Sequence, residues 1–186
     1  MRLSFNYSGR GVWLHTLLCL ATIACSPAED TGTSQNQSVY TYSDVEFNKL
    51  AKQQKVYVPA YSDIYHLDGN KRFLLTVTAV VRNTSLQDSV YVNKVDFFDS
   101  QGSLIRTYVP RTIAIGPLAS AEFIVEYQEK QGGAGASFII DWGSQNVSAK
   151  PLIQAVMIGT LSQQGISFIT EGINIQNLTD STSVSK

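Results

Sequence analysis

From Lys55 to about Ile175 the apolar residues recur at every second position, in short runs separated by Gly, Asn, Asp, Ser and Pro. That period belongs to extended chain, whose successive side chains point to opposite faces. A helix would gather its apolar residues every three to four positions. Ala121, Phe123, Val125 and Tyr127 against Glu122 and Glu126 is the clearest alternation. Residues 73–81 are almost wholly apolar or Thr, as a central strand buried on both faces would be. Within residues 90–98 the apolar phase slips between Val92 and Val95, which predicts a β-bulge at Asn93-Lys94. Turn chemistry stands at Asp68-Gly69-Asn70-Lys71 and at Asp99-Ser100-Gln101-Gly102, and Pro110 closes the strand that precedes it. Further strands are expected at 56–58, 137–142, 152–161, 165–170 and 173–175, those at 152–161 and 165–170 forming a hairpin. About seven to nine short strands without intervening amphipathic helices predict an all-β, antiparallel β-sandwich. Val77, Val81, Val95, Phe97, Phe123 and Val125 should face its interior. One stretch reads otherwise: Ser43-Asp44-Val45-Glu46 has capping-box spacing and predicts a short N-terminal helix to about Gln54.

The first 25 residues read as an address. Arg2 and Arg10 precede an apolar run, broken by His15, Thr16 and Thr22, that is too short to span a roughly 30 Å hydrocarbon core comfortably. The run ends in Thr22-Ile23-Ala24-Cys25, and the chain then turns polar. This resembles the bacterial lipobox, with cleavage after Ala24 and lipidation of Cys25, although Thr22 stands where an aliphatic residue is usual. Ordinary cleavage after Ala24, with Cys25 left as a free thiol, is the alternative. Cys19 lies inside the leader, so Cys25 would be the one cysteine of the mature chain. A lone thiol in an oxidising compartment is a liability that acylation removes. The expected organisation is a signal peptide over 1–24, then a lipidated Cys25, polar tether and short helix over 25–54. The sandwich follows over 55–176, and a polar tail over 177–186. Ser26 after the cysteine resembles the outer-membrane sorting pattern of a Gram-negative host, which implies a bacterial envelope protein facing the periplasm.

Charge and residue inventory narrow the function classes. Of 14 Lys and Arg, two lie in the leader, which leaves 12 against 15 Asp and Glu, with no basic run. A nucleic-acid binder would need a cationic stripe to displace counterions, so that class is not expected. His66 is the one imidazole outside the leader, so neither a multi-His metal site nor a thiolate–imidazole pair is expected. A Ser-His-Asp triad would have to use His66 with Asp63 or Asp68 and an unmarked serine, since no G-x-S-x-G elbow is present. Asp96 with Asp99, or Glu122 with Glu126, could serve glycoside chemistry only if they faced each other across a cleft; both pairs read better as turn and surface charge. Gly132-Gly133-Ala134-Gly135 could aim backbone N–H groups at an anion, but no helix follows it, and it reads as a mobile loop. Trp142 with Tyr57, Tyr61 and Tyr65 could stack a sugar or meet a partner, or could be core and strand residues. Asn36, Asn83, Asn146 and Asn177 stand in N-x-S/T sequons, which are chance products of an Asn- and Ser-rich surface in a bacterial host and would matter in a eukaryotic one.

The run LTVTAVVRNTSLQDSVYVNKVDFFDSQGSLIR resembles small extracellular immunoglobulin-like domains of bacteria. Residues 56 to about 175 resemble, through VYVPAYSDIY, GGAGASFIIDW and PLIQAVMIGTLSQQGISF, a family of short bacterial lipoproteins known only as a domain of unknown function. The resemblance implies an immunoglobulin-like sandwich and an envelope address, and it brings no activity or catalytic residue. The expected function is a non-enzymatic binding or assembly module without a cofactor. Its partners are the membrane, through the lipid, and an envelope protein or cell-wall component. The candidate binding surface is Asp63, Tyr65, His66, Gly133 and Trp142. A carbohydrate-binding or hydrolytic domain using Asp63, Tyr65, His66 and Asp141 is the alternative.

Overall fold

A computed structural model describes residues 41–129, 131–161 and 164–179. The expectations for the leader, for Ala24 and Cys25, for the tether up to residue 40 and for residues 180–186 lie outside the described residues. Those residues form thirteen strands: β1 Thr41–Tyr42, β2 Lys52–Pro59, β3 Asp63–His66, β4 Asp68–Leu74, β5 Thr76–Arg82, β6 Val90–Phe98 and β7 Leu104–Thr107 are the first seven. β8 Ile113–Ile115, β9 Ser120–Val125, β10 Ser137–Ser144, β11 Leu152–Leu161, β12 Gln164–Glu171 and β13 Ile173–Asn177 complete them. A seven-stranded sheet runs β1-β8-β6-β10-β2-β13 with β7 also on β6, a four-stranded sheet runs β12-β11-β5-β9, and β3 and β4 form a separate hairpin. Each strand pairing is antiparallel.

The two large sheets enclose one core, the sandwich that the alternation predicts. On the four-stranded sheet Met157, Val77 and Val125 share one cross-strand row, and Ala155, Ala79 and Phe123 the next. The two alanines leave room for the Phe123 ring. From the seven-stranded sheet come Phe97, Phe138 and Val58 in one row and Val95, Ile140 and Val56 in the next. All belong to a single buried cluster. Phe97 lies 4.9 Å from Phe138, centroid to centroid. Tyr108 closes one side, 5.9 Å from Phe138 and 5.8 Å from Phe123, and its hydroxyl donates to Ile124 O at 2.8 Å. Asn93 has no partner in the register between Lys94 and Val92, so the bulge stands where the apolar phase slips.

Tertiary packing redraws three local expectations. The helix over 43–54 is a single 3-10 turn, Phe47–Lys49, and β2 already begins at Lys52. Ser43 Oγ accepts the Val45 amide instead of closing a capping box. The three-residue spacing of Phe47 and Leu50 suits one 3-10 turn, and both side chains lie over Gly143, where an added Cβ would stand 2.7 Å from Leu50 Cδ1. Residues 73–81 are not one strand: the chain passes from the hairpin to the four-stranded sheet at Leu75, whose N–H donates to Ser62 O at 2.8 Å. The hairpin reverses at Leu67, with φ +61°, one residue before the Asp-Gly-Asn signal. Asp68 Oδ1 accepts the Asn70 amide, and residues 69–71 bulge from the ladder between Asp68 and Arg72. The strand number exceeds the expected seven to nine because of this split, because β3 shows no clear alternation, and because edge pieces such as β1 and β8 are too brief to show a period.

Candidate functional site: the β3–β4 hairpin and its base

Four of the five residues of the expected binding surface gather at one end of the sandwich. Ser62, fully buried before β3, is the anchor. Its N–H donates to Gly133 O at 3.2 Å, its Oγ accepts the Gly133 N–H at 2.7 Å, and its carbonyl holds Leu75. Ser100 does the same from the β6–β7 turn: its Oγ donates to Gly132 O at 3.0 Å and accepts the Gly135 N–H at 2.9 Å. A Cβ at Gly132 would stand 2.7 Å from Ser62 Oγ and 2.8 Å from Phe97 Cζ, and Gly133 has φ +82°. The glycines thus serve close approach and left-handed backbone. The expectation of a mobile loop is corrected: the Gly-rich segment is clamped, and the Gly133 and Gly135 amides are already used by serine hydroxyls rather than aimed at an anion.

On this base the hairpin rises. Asp63, nearly buried, accepts from the Arg72 guanidinium, which lies 4.2 Å from the Tyr65 ring centroid above its cross-strand partner. Ile64 and Phe73 pack down on the core. A Cβ at Gly159 of β11 would stand 2.2 Å from Phe73 Cε1 and 2.9 Å from Leu74 O, so the hairpin lies directly on that glycine. The tip is exposed: Tyr65 by 57% and Leu67 by 81%, with His66 beside them 6.1 Å from Phe73. Asp63 is held by Arg72, and Asp68 Oδ1 accepts the Asn70 amide; among the described residues no hydrogen bond links either acid to His66.

Trp142 departs from this group, and its expected place on the surface is corrected. It is 3% exposed, part of the core, and pairs with Gln54, five residues before β2 ends at Pro59, about 17 Å along the strand. Asp141 beside it is likewise far from Asp63. Tyr61 packs against the core, 5.6 Å from Phe168, so the tyrosines do not form one surface.

An ion-pair array on the outer face of the seven-stranded sheet was not legible in the sequence. Lys55 Nζ meets Asp141 Oδ1 at 2.6 Å, Lys94 Nζ meets Asp96 Oδ2 at 2.6 Å, and Thr107 Oγ1 donates to Asp96 Oδ1 at 2.8 Å. Asp96 and Asp141 are diagonal neighbours, about 7–8 Å apart by strand geometry, but each faces an ammonium across no cleft. The signal was present: these residues have the opposite phase to the core, but their partners are set by register. Lys94 is held above its ordinary 10.5, first by the Asp96 hydrogen bond, against the opposing effect of burial, and further by the charges of Asp96 and Asp141. A raised folded value stabilises below the unfolded one and loses that contribution as pH climbs through the folded value. Urea unfolding followed from about pH 10 up to about pH 12 should therefore show a small loss, under about 1 kcal/mol because Lys94 is half-exposed, that Lys94→Met lacks. Equal pH slopes in the two proteins would refute it.

Among the described residues, no group of three or more His, Cys, Asp and Glu gathers as metal ligands would. A family model described as "Protein of unknown function (DUF3124)" matches residues 53–175. No curated protein matches the chain. Among solved structures, the crystal structure of Thermotoga maritima 1070 is similar at 12% identity and a TM-score of 0.39. The match covers 64% of this chain and 92% of that one, a likeness too low to bear on fold or function.

Proposed function

This chain belongs to the DUF3124 family of proteins of unknown function, and we propose that it is a non-enzymatic binding module, held on a bacterial envelope membrane by a lipid on Cys25, that offers its β3–β4 hairpin to a partner protein. The observation that carries the reading is the contrast between tip and base. Tyr65 and Leu67 are exposed apolar side chains on a two-stranded projection, while Asp63–Arg72, Ser62 and the glycine clamp hold its root rigid. Exposed aromatic and aliphatic anchors on a preorganised loop lose little entropy on binding, and such residues dominate protein contacts. A sandwich of immunoglobulin-like kind, which the sequence of residues 75–106 favours, is a common scaffold for loop-borne contacts. The leader, Cys25 and the polar stretch after it support a tethered form that reaches into the periplasm of a Gram-negative host from the outer membrane.

The test has two arms. Cys25→Ala should move the protein from the membrane fraction to the soluble one, because a diacyl anchor is strong and nothing else in this reading replaces it. A photo-crosslinker at Leu67 in intact cells should capture one discrete protein, and Tyr65→Ala should abolish that adduct with the melting temperature unchanged. Wild-type protein that is soluble and unlipidated by mass would sink the anchor. Crosslinks no more discrete at Leu67 than at the remote, exposed Leu86 would sink the hairpin.

A further inference from the structure

At the end of the sandwich remote from the hairpin, where β12 crosses to β13, lies a groove of about 220 Å3. Gly172 makes the crossing; a Cβ there would stand 2.6 Å from Val56 Cγ1, so the chain can pass this close only with glycine. Val56 and Ile153 form apolar wall, Trp142 lies beneath, and the charged groups are Lys52, Lys150 and Glu171.

These charged groups keep hydrogen-bonding capacity to spare. Lys52 Nζ donates to Ala149 O at 2.7 Å and lies 5.4 Å from the Trp142 ring centroid, which fixes its position and leaves two N–H donors. Lys150 is exposed, and its own carbonyl accepts from Thr84 Oγ1 at 2.8 Å, so the loop that carries it is pinned. Among the described residues none of Lys52, Lys150 and Glu171 forms an ion pair, although five other pairs are made. The Trp142 indole N–H likewise has no hydrogen-bond partner there. No fully buried side-chain nitrogen or oxygen of a described residue is left unsatisfied, so this N–H is not wholly buried, and Trp142 lines the groove. Two ammonium groups, one indole donor and a carboxylate among the lining residues, on partly apolar walls, complement an anion that also carries an N–H. The volume is below that of drug-sized sites, which sets the ligand at about the size of an amino acid.

We propose that this groove binds the carboxylate of an amino-acid-sized ligand, with Lys52, Lys150 and the Trp142 indole N–H as its donors. Glu171 accepts from the ligand's own N–H, and Val56 and Ile153 contact its side chain. The site is independent of the hairpin contact.

The experiment follows the Trp142 indole resonance of the 15N-labelled full chain in a Trp13→Phe background. Alanine, N-acetylalanine and N-acetylalaninamide are titrated to about 20 mM, where a weak single-site ligand still registers. The acids should shift the resonance saturably and the amide should not, because it lacks the carboxylate. The tighter acid tells a free amino acid from a chain terminus. Lys150→Ala should weaken binding by about tenfold, the worth of a hydrogen bond to a charged group, with the melting temperature unchanged. The proposal is overturned if no acid moves the resonance, if the amide moves it as far as the acids, or if Lys150→Ala leaves the affinity as it was.

Discussion

Phe97→Ala and Phe123→Ala should each lower stability by about 3–5 kcal/mol, the range for deleting a fully buried aromatic ring. Both residues are 1% exposed. Phe97 contacts Phe138 and lies under Gly132, so its loss opens a cavity between the central strands and also removes the floor of the glycine clamp. Phe123 sits in a row whose neighbours are Ala79 and Ala155, which are too short to collapse into the space. With total stabilities of about 5–15 kcal/mol, either change takes a large part of what holds a domain of this size. Denaturant midpoints should fall at nearly unchanged slope. Ile169→Ala, 59% exposed on β12, is the control and should stay within about 0.5 kcal/mol. If both phenylalanine variants melt within a degree or two of wild type, the strand phasing is wrong.

Gly159→Ala should be damaging although it adds a single methyl group. The new Cβ would stand 2.2 Å from Phe73 Cε1, 2.7 Å from Leu75 Cδ2 and 2.9 Å from Leu74 O. A ring end can swing aside, but a backbone carbonyl moves only with its strand. Overpacking of this kind costs about 1–3 kcal/mol and at times more. Its effect should also be local: β4 lifts, and amides of residues 63–74 should exchange faster than those of β5, which the core still holds. Because Leu67 rides on that hairpin, its crosslinked adduct should weaken although no tip residue has changed. Gly69→Ala tests the specificity, since an added Cβ there meets nothing within 4 Å. Equal behaviour of the two alanines would show that the hairpin is not seated on β11.

The alternation of Ala121, Phe123 and Val125 was enough to phase β9, because period two reflects which face each residue occupies and only one face of that strand is buried. The slip between Val92 and Val95 marked the bulge for the same reason: one extra residue inverts the phase. Trp142 could not be placed this way. Its strand reads Phe138, Ile139, Ile140, Asp141, Trp142, apolar on both faces, and a large aromatic fits core and surface alike. Nor could the ion-pair array be read, since Asp141 meets Lys55 and Lys94 only once β10 is seated between β2 and β6.

Local chemistry in the chain determined the all-β class, most of its strands and, where only one face is buried, their phase; among the described residues between Lys55 and Ile175 there is no helix. Class, strands and phase depend on neighbours within a few residues. Long-range competition decided the rest. Residues 43–54 exchanged a marginal helix for a 3-10 turn because Lys52, Gln53 and Gln54 gain a ladder against Ser144, Gly143 and Trp142. The glycines at 132–135 became a clamp because Ser62 and Ser100, distant in sequence, bring hydroxyls to their amides. Hydrogen bonds and contacts made across the sandwich outweigh weak local preferences, so where such partners stand was settled only by the packed tertiary structure.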